Sequence, residues 1–388
     1  MGEVSWWRKS FDNMFAAVAS IFGRVESRRW ARAYLTGLLA PIERKNSWQL
    51  ADAAGAMEPD GIQHFLNRSR WSADELRDRV RSYVVGSLAW GDGTLVLDEI
   101  GFVKKGVKSV GVDPQFASDL GRVENCQLGI FLAYSGEWGQ ALIDRELYLP
   151  ESWTGDRGRC TAAGVPESRR DPQAHTKARI AESMIGRALE ARVNVGWVVA
   201  GQQYGCDNRF RQYLEEHRVP FGLEVAGHHH LAETDCTAGA VICGAPIDAW
   251  HSVASGRVMG DDPAHMYAWA TLPRSCDVPI GFVRTLLARR SADDRGDVVY
   301  YLCSHPDTVG LSAIVGAINS RGVIRECLEL AREQCGLDDY QVRRWDGWYR
   351  HITMAMLAHA YLAVAAHTPI GRVDCLERLT ERPAVCWR

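Results

Sequence analysis

The chain has 388 residues, too many for one compact core, so two or three domains are expected. A hydrophobic fraction of 46% and a charged fraction of 24% are those of an ordinary globular protein, and a formal net charge of -3 excludes any global electrostatic pull toward polyanions. Eleven scattered cysteines without a C-x-x-C pair argue against a disulfide framework or a zinc site; with no leader-like start and no apolar run of membrane length, the expected setting is the cytoplasm.

In chain order, residues 1–90 read as a helical N-terminal domain, with Phe11, Met14, Phe15 and Val18 at helical spacing and Ser72 as an N-cap before Asp74 and Glu75. Leu95-Val96-Leu97 is then a short apolar run that delivers Asp98 and Glu99, the pattern of a buried strand ending in carboxylates. Gln127–Tyr134 and Gln140–Leu149 form a hairpin about Ser135-Gly136-Glu137. A helix follows from His175-Thr176, then a strand at Val195–Ala200, a helix at Phe210–His217 and a strand at Phe221–Val225. Residues 226–296 are rich in Gly, His, Ala and Asp and read as an insertion of short strands and loops. The core resumes at 297–388 with a strand at Asp297–Cys303, one helix carrying the stripe from Ile314 to Leu330, and a last long helix from Trp345 to Ala366. With 91–225 as the first part of the core, the order predicts a mixed α/β sheet with flanking helices.

Five stretches carry a resemblance. They are Leu95–Gly111 (LVLDEIGFVKKGVKSVG), Gly121–Gly129 (GRVENCQLG), Ala141–Trp153 (ALIDRELYLPESW), Gly336–Trp345 (GLDDYQVRRW) and Trp348–Ile352 (WYRHI). Together and in this order they resemble the bacterial insertion-sequence transposases of the DDE type. The resemblance implies an RNase H-like fold and Mg²⁺-dependent DNA cleavage and strand transfer, in which carboxylates hold two divalent cations. It also implies duplex DNA as partner and a homodimer.

Only the first carboxylate of that pattern is found, as Asp98. The second should follow the Trp197-Val-Val-Ala run, where Gly201 stands, with Asp207 the nearest substitute. The third should lie four residues after Arg321, where the sequence has Arg325; Glu326 is about 100° around the helix, and Glu329 lies a turn further on. A guanidinium in a metal's place suggests that Arg325 pairs with Asp98 or grips an anion.

The expectation is therefore a catalytically degenerate, domesticated member with no cofactor. Its metal-independent role is either DNA-binding regulation or a reaction on a small molecule in the old cleft, using Asp98, Arg325, Glu326 and His228. The alternative is an active transposase with displaced ligands, for which Asp98 would be a Mg²⁺ ligand. Lys104, Lys105, Arg343 and Arg350 are the candidate contacts to nucleic acid or another anion. His228 and His230, which share one face of an extended chain, are weighed as metal ligands against a plain polar loop.

Overall fold

A computed structural model describes residues 2–53, 59–89, 91–173, 175–253, 265–292 and 297–367. Parts of the expected insertion, 254–264 and 293–296, and the last twenty-one positions, 368–388, lie outside the described residues.

Five helices come first: α1 (Gly2–Val18), α2 (Val25–Leu39), α3 (Ser47–Ala53), α4 (Asp60–Asn67) and α5 (Ala73–Leu88). Strands β1 (Gly93–Val103), β2 (Asp113–Ala117), β3 (Arg122–Gly136) and β4 (Gly139–Leu147) follow, then helices α6 (Glu151–Thr154), α7 (Arg157–Ala163) and α8 (Lys177–Glu190). Next come β5 (Val195–Ala200), α9 (Gln202–Gly205), α10 (Asn208–Glu216), β6 (Phe221–Val225), β7 (His230–Leu231), β8 (Cys236–Thr237) and α11 (Ala238–Cys243). Strands β9 (His265–Thr271), β10 (Phe282–Ser291) and β11 (Val298–Pro306) precede α12 (Leu311–Asn319), α13 (Arg321–Cys335) and α14 (Trp345–His367).

These elements fall into two compact units. The first contains the described parts of Met1–Trp90, Glu99–His175 and Arg325–Arg388; the second contains those of Gly91–Asp98 and Thr176–Ile324. In the first unit β3 pairs antiparallel with both β2 and β4, and α14 packs on α2, α4, α5 and β4. Helix α14 is buried along most of its length, so its polar residues must find partners inside. The Tyr349 hydroxyl donates to Glu146 at 2.7 Å, and Arg145 Nε donates to Thr353 at 2.8 Å.

The second unit carries a mixed sheet. Strands β1, β5 and β6 run parallel, with Leu97 opposite Ala200 and Val199 opposite Gly222. Strand β11 joins β6 antiparallel, β10 joins β11 and β9 joins β10. Period-two alternation sends Leu286, Ala288 and Leu302 to one face, against Ala238 and Ile242 of α11. Leu287, Tyr301 and Cys303 go to the other face, against Ile314, Val315 and Ile318 of α12. A mixed sheet with helices over it is the α/β class expected, consistent with an RNase H-like fold.

Two local expectations are corrected. In the described part of 226–296, β9 and β10 extend the sheet beyond β11. Its apolar piece at Ala240–Cys243 is helical, within α11, capped by Thr237, which accepts from Ala240 N at 3.2 Å. The late apolar stripe belongs to two helices, α12 and α13, separated at Ser320.

Candidate functional site

Strand β1 places Asp98 one residue beyond Leu97, the last β1 residue to pair with β5. Asp98 therefore does not end its strand, which continues to Val103; it marks where the pairing with β5 stops. On β5, Ala200 is opposite Leu97, and Gly201 follows at once as the N-cap of α9. Asp98 and Gly201 thus come to the same end of neighbouring parallel strands, the end where α/β sheets carry their chemistry.

What fills that place is Arg321, the first residue of α13. Its Nη1 lies 3.4 Å from Asp98 Oδ2, and its Nε donates to Glu224 Oε2 at 3.2 Å. A Cβ at position 201 would stand 2.8 Å from Arg321 Nη2, so the guanidinium occupies the space into which a side chain there would grow. The group is mostly buried, with 21% of the side chain exposed. Burial opposes its charge, but Asp98 and then Glu224 outweigh that penalty and raise its pKa above the ordinary arginine value. Glu224 pairs in register with Tyr301, whose hydroxyl burial pushes up to about 12. Gly205, at the end of α9, has its own reason: a Cβ there would sit 1.9 Å from the Glu224 carbonyl oxygen, so only glycine lets α9 approach β6.

The ion pair expected of Arg325 is thus made by Arg321, one helical turn earlier, while Arg325 is exposed. None of the substitute carboxylates is presented as a metal ligand. Asp207 caps α10 by accepting from Phe210 N at 2.9 Å, Glu326 accepts from Gln140 Nε2 at 2.7 Å, and Glu329 is exposed. Tyr204 is buried against Phe210. His228 lies exposed in the turn after β6, and His230 on β7 is 3.3 Å from Asp235. Among the described residues no group of His, Cys, Asp and Glu is arranged to hold a metal ion. The carboxylates brought to this place are Asp98 and Glu224, and the Arg321 guanidinium holds both.

Of the expected anion contacts, Lys104, Lys105 and Arg343 line one groove in the first unit. Arg350 does not: it is buried, donates to the carbonyls of Leu66 at 2.9 Å and Trp71 at 3.3 Å, and braces the helical layer. Lys104 Nζ stands 3.7 Å from the centre of the Tyr340 ring; burial pulls its pKa down to about 8, against the pull of Asp338. Sequence reasoning missed Arg321 as the partner of Asp98, and Glu224 as the second carboxylate that Arg321 holds. Arg321 was visible as the arginine of the late pattern, but spacing alone gives no side-chain reach.

A family model described as DDE superfamily endonuclease matches residues 17–237, a span that takes in Asp98, Gly201 and Glu224. The chain belongs to the DDE superfamily. It is also 24% identical over 217 residues to a protein named "Probable transposase for insertion sequence element IS701" from Microchaete diplosiphon, a match covering 55% of this chain and 52% of the relative. The chain thus spans about half the length of the curated relative it matches. Within this DDE-superfamily chain, no helix among the described residues is long and apolar enough to cross a membrane.

Proposed function

We propose that this chain is a DDE-superfamily protein that binds DNA and does not cut it by the family's metal chemistry, serving a role other than transposition. The observation that carries the reading is Arg321, which bridges Asp98 and Glu224 beside Gly201. A fixed monovalent cation there supplies the charge balance that divalent cations would otherwise supply, and it repels them. Active transposition with displaced ligands would need a carboxylate from Asp207, Glu326 or Glu329, and the first two are engaged elsewhere.

The DNA-binding branch is favoured over a small-molecule enzyme by where the cavities lie. A cavity of about 600 Å³ in the second unit is lined by Thr94, Trp197, Gly310, Ser312 and Ser320 among others, all neutral. Thr94 and Trp197 are paired near the start of β1 and β5, away from Asp98, so this cavity offers no acid or base for a reaction. The test is calorimetric titration of the full chain with Mg²⁺ and Mn²⁺, alongside nicking of supercoiled plasmid and salt-dependent binding to duplex DNA. No metal heat, no nicking and salt-dependent binding are expected. Metal binding that Asp98→Ala abolishes, or metal-dependent nicking, would overturn the non-cleaving reading.

A further inference from the structure

One groove in the first unit is built from three sequence segments: residues 44 and 46–48, residues 103–109 from the last residue of β1 onward, and residues 338–344 before α14, with Gln63 and Asn67 of α4. Its cationic lining consists of Arg44, Lys104, Lys105, Lys108, Arg343 and Arg344. The two acids in the lining are already engaged, Asp338 with Arg332 Nε at 3.5 Å and Asp339 as acceptor from Lys45 N at 2.9 Å. The groove is therefore strongly positive in a chain whose net charge is -3.

The positive segments are held in place by backbone bonds. Lys104 N donates to the Asn125 carbonyl at 2.9 Å, and Asn125 Nδ2 donates back to the carbonyls of Lys104 at 2.5 Å and Gly106 at 3.2 Å. Arg159 Nη2 donates to the Val107 carbonyl at 3.0 Å. Val110 N donates to the Arg343 carbonyl at 3.0 Å, tying one basic segment to the other. Preorganisation of this kind lowers the ordering cost of gripping a chain of anions.

The groove also has an uncharged side to its chemistry. Trp48 at the start of α3 is 64% exposed, and its backbone is fixed by Asn46, whose Oδ1 accepts from Trp48 N at 3.0 Å and Gln49 N at 3.2 Å. The amides of Gln63, Asn67 and Gln341 line the same space. Phosphates alone call for cations; an exposed indole among amides calls for base faces and base edges.

We infer that this groove is a binding site for single-stranded nucleic acid, in which the lysines and arginines track the phosphates and Trp48 stacks on an unpaired base. The inference rests on the DNA-binding part of the proposed function and names the surface and the strand form. Duplex DNA, whose bases are already stacked, would use the cations but leave Trp48 without a role.

The test is fluorescence anisotropy of the full chain with a fluorescein-labelled poly-dT oligonucleotide and a duplex of the same length, at several salt concentrations. Tighter binding of the single strand is expected. Trp48→Ala should weaken it about ten-fold and leave duplex affinity unchanged. Lys105→Glu with Arg343→Glu should weaken both and lower the salt slope by roughly two. All three side chains are exposed, and thermal melts of the variants check that the fold is kept. Binding indifferent to all these variants would overturn the groove and leave DNA binding elsewhere standing. A duplex preference with no effect of Trp48→Ala would overturn the single-strand assignment. Absence of binding to either form would overturn the DNA-binding reading itself, whereas metal-dependent nicking would strike only its non-cleaving part.

Discussion

Arg321 and Asp98 form an ion pair at 3.4 Å across the place where the family's metal chemistry would be centred. The same guanidinium reaches Glu224, so one cation separates two carboxylates. Arg321→Ala would leave Asp98 and Glu224 as like charges without their bridge. The expected cost is about 1–2 kcal/mol, the site being partly exposed and screened, read as a lower midpoint in thermal or urea unfolding. Millimolar Mn²⁺ should recover part of the loss in Arg321→Ala and do nothing for the parent chain. Equal midpoints with and without Mn²⁺ in the variant would mean that the two carboxylates do not face a shared space.

Restoring the missing acids is the complementary experiment. Gly201→Asp alone must displace Arg321, since its Cβ would stand 2.8 Å from Nη2, and a destabilisation of about 1–3 kcal/mol is expected. Adding Arg321→Ala, which leaves Asp98, Glu224 and the new Asp without the guanidinium, should yield a chain that binds Mn²⁺ in calorimetry where the parent does not. No heat from the double variant would show that the loss of metal binding runs deeper than these positions.

Acid should destabilise the first unit through its buried histidines. Tyr34 donates to His351 Nδ1 at 2.6 Å, and His351 Nε2 donates to the Gly336 carbonyl at 3.0 Å, a neutral ring with both nitrogens used. Burial lowers the His351 pKa from 6.5 to about 4, and His359 shifts the same way to about 4. The unfolded chain takes up these protons first, so their contribution is fully present above pH 6.5 and is lost as pH falls toward 4. Each group accounts for up to about 3 kcal/mol over that window. The unfolding midpoint measured against pH should fall there, and His351→Asn should remove about half of the slope.

Lys104 predicts a sensitivity on the alkaline side. Burial brings its pKa from 10.5 down to about 8, so its ammonium discharges as pH rises through 8. Because the unfolded chain holds that proton up to 10.5, Lys104 itself favours folding more as pH rises through that range. Its grip on an anion runs the other way: oligonucleotide affinity should drop between pH 7 and 9, read by anisotropy, and Lys104→Arg should flatten the profile.

The strands of the second unit were legible because each is a short apolar run with its own boundaries, such as Val195–Ala200 and Phe221–Val225. The membership of β9 and β10 in the sheet was not legible, since pairing Leu286 with Leu302 depends on partners distant along the chain. The break at Ser320 escaped because the apolar stripe runs on through it, although Asn319, Ser320 and Gly322 stand there. Arg350 was read as a surface cation because arginine usually is one; on the buried helix α14 it finds the carbonyls of Leu66 and Trp71 and the Trp71 ring instead. At the site, Asp98, Gly201 and Arg325 were visible as letters. That Arg321 would reach Asp98 was not, because it depends on where a flexible side chain ends.

The stretches that carry the resemblance also meet one another in the folded first unit. Asn125 clasps the chain at Lys104 and Gly106, Gln127 accepts from Tyr340 at 2.9 Å, Trp348 donates to Tyr340 at 3.1 Å, and Tyr349 donates to Glu146. These side chains are the joints of a frame, and a copy that lost them would lose its fold whether or not it could cut DNA. A genome census that recognises the superfamily by these words therefore counts scaffolds.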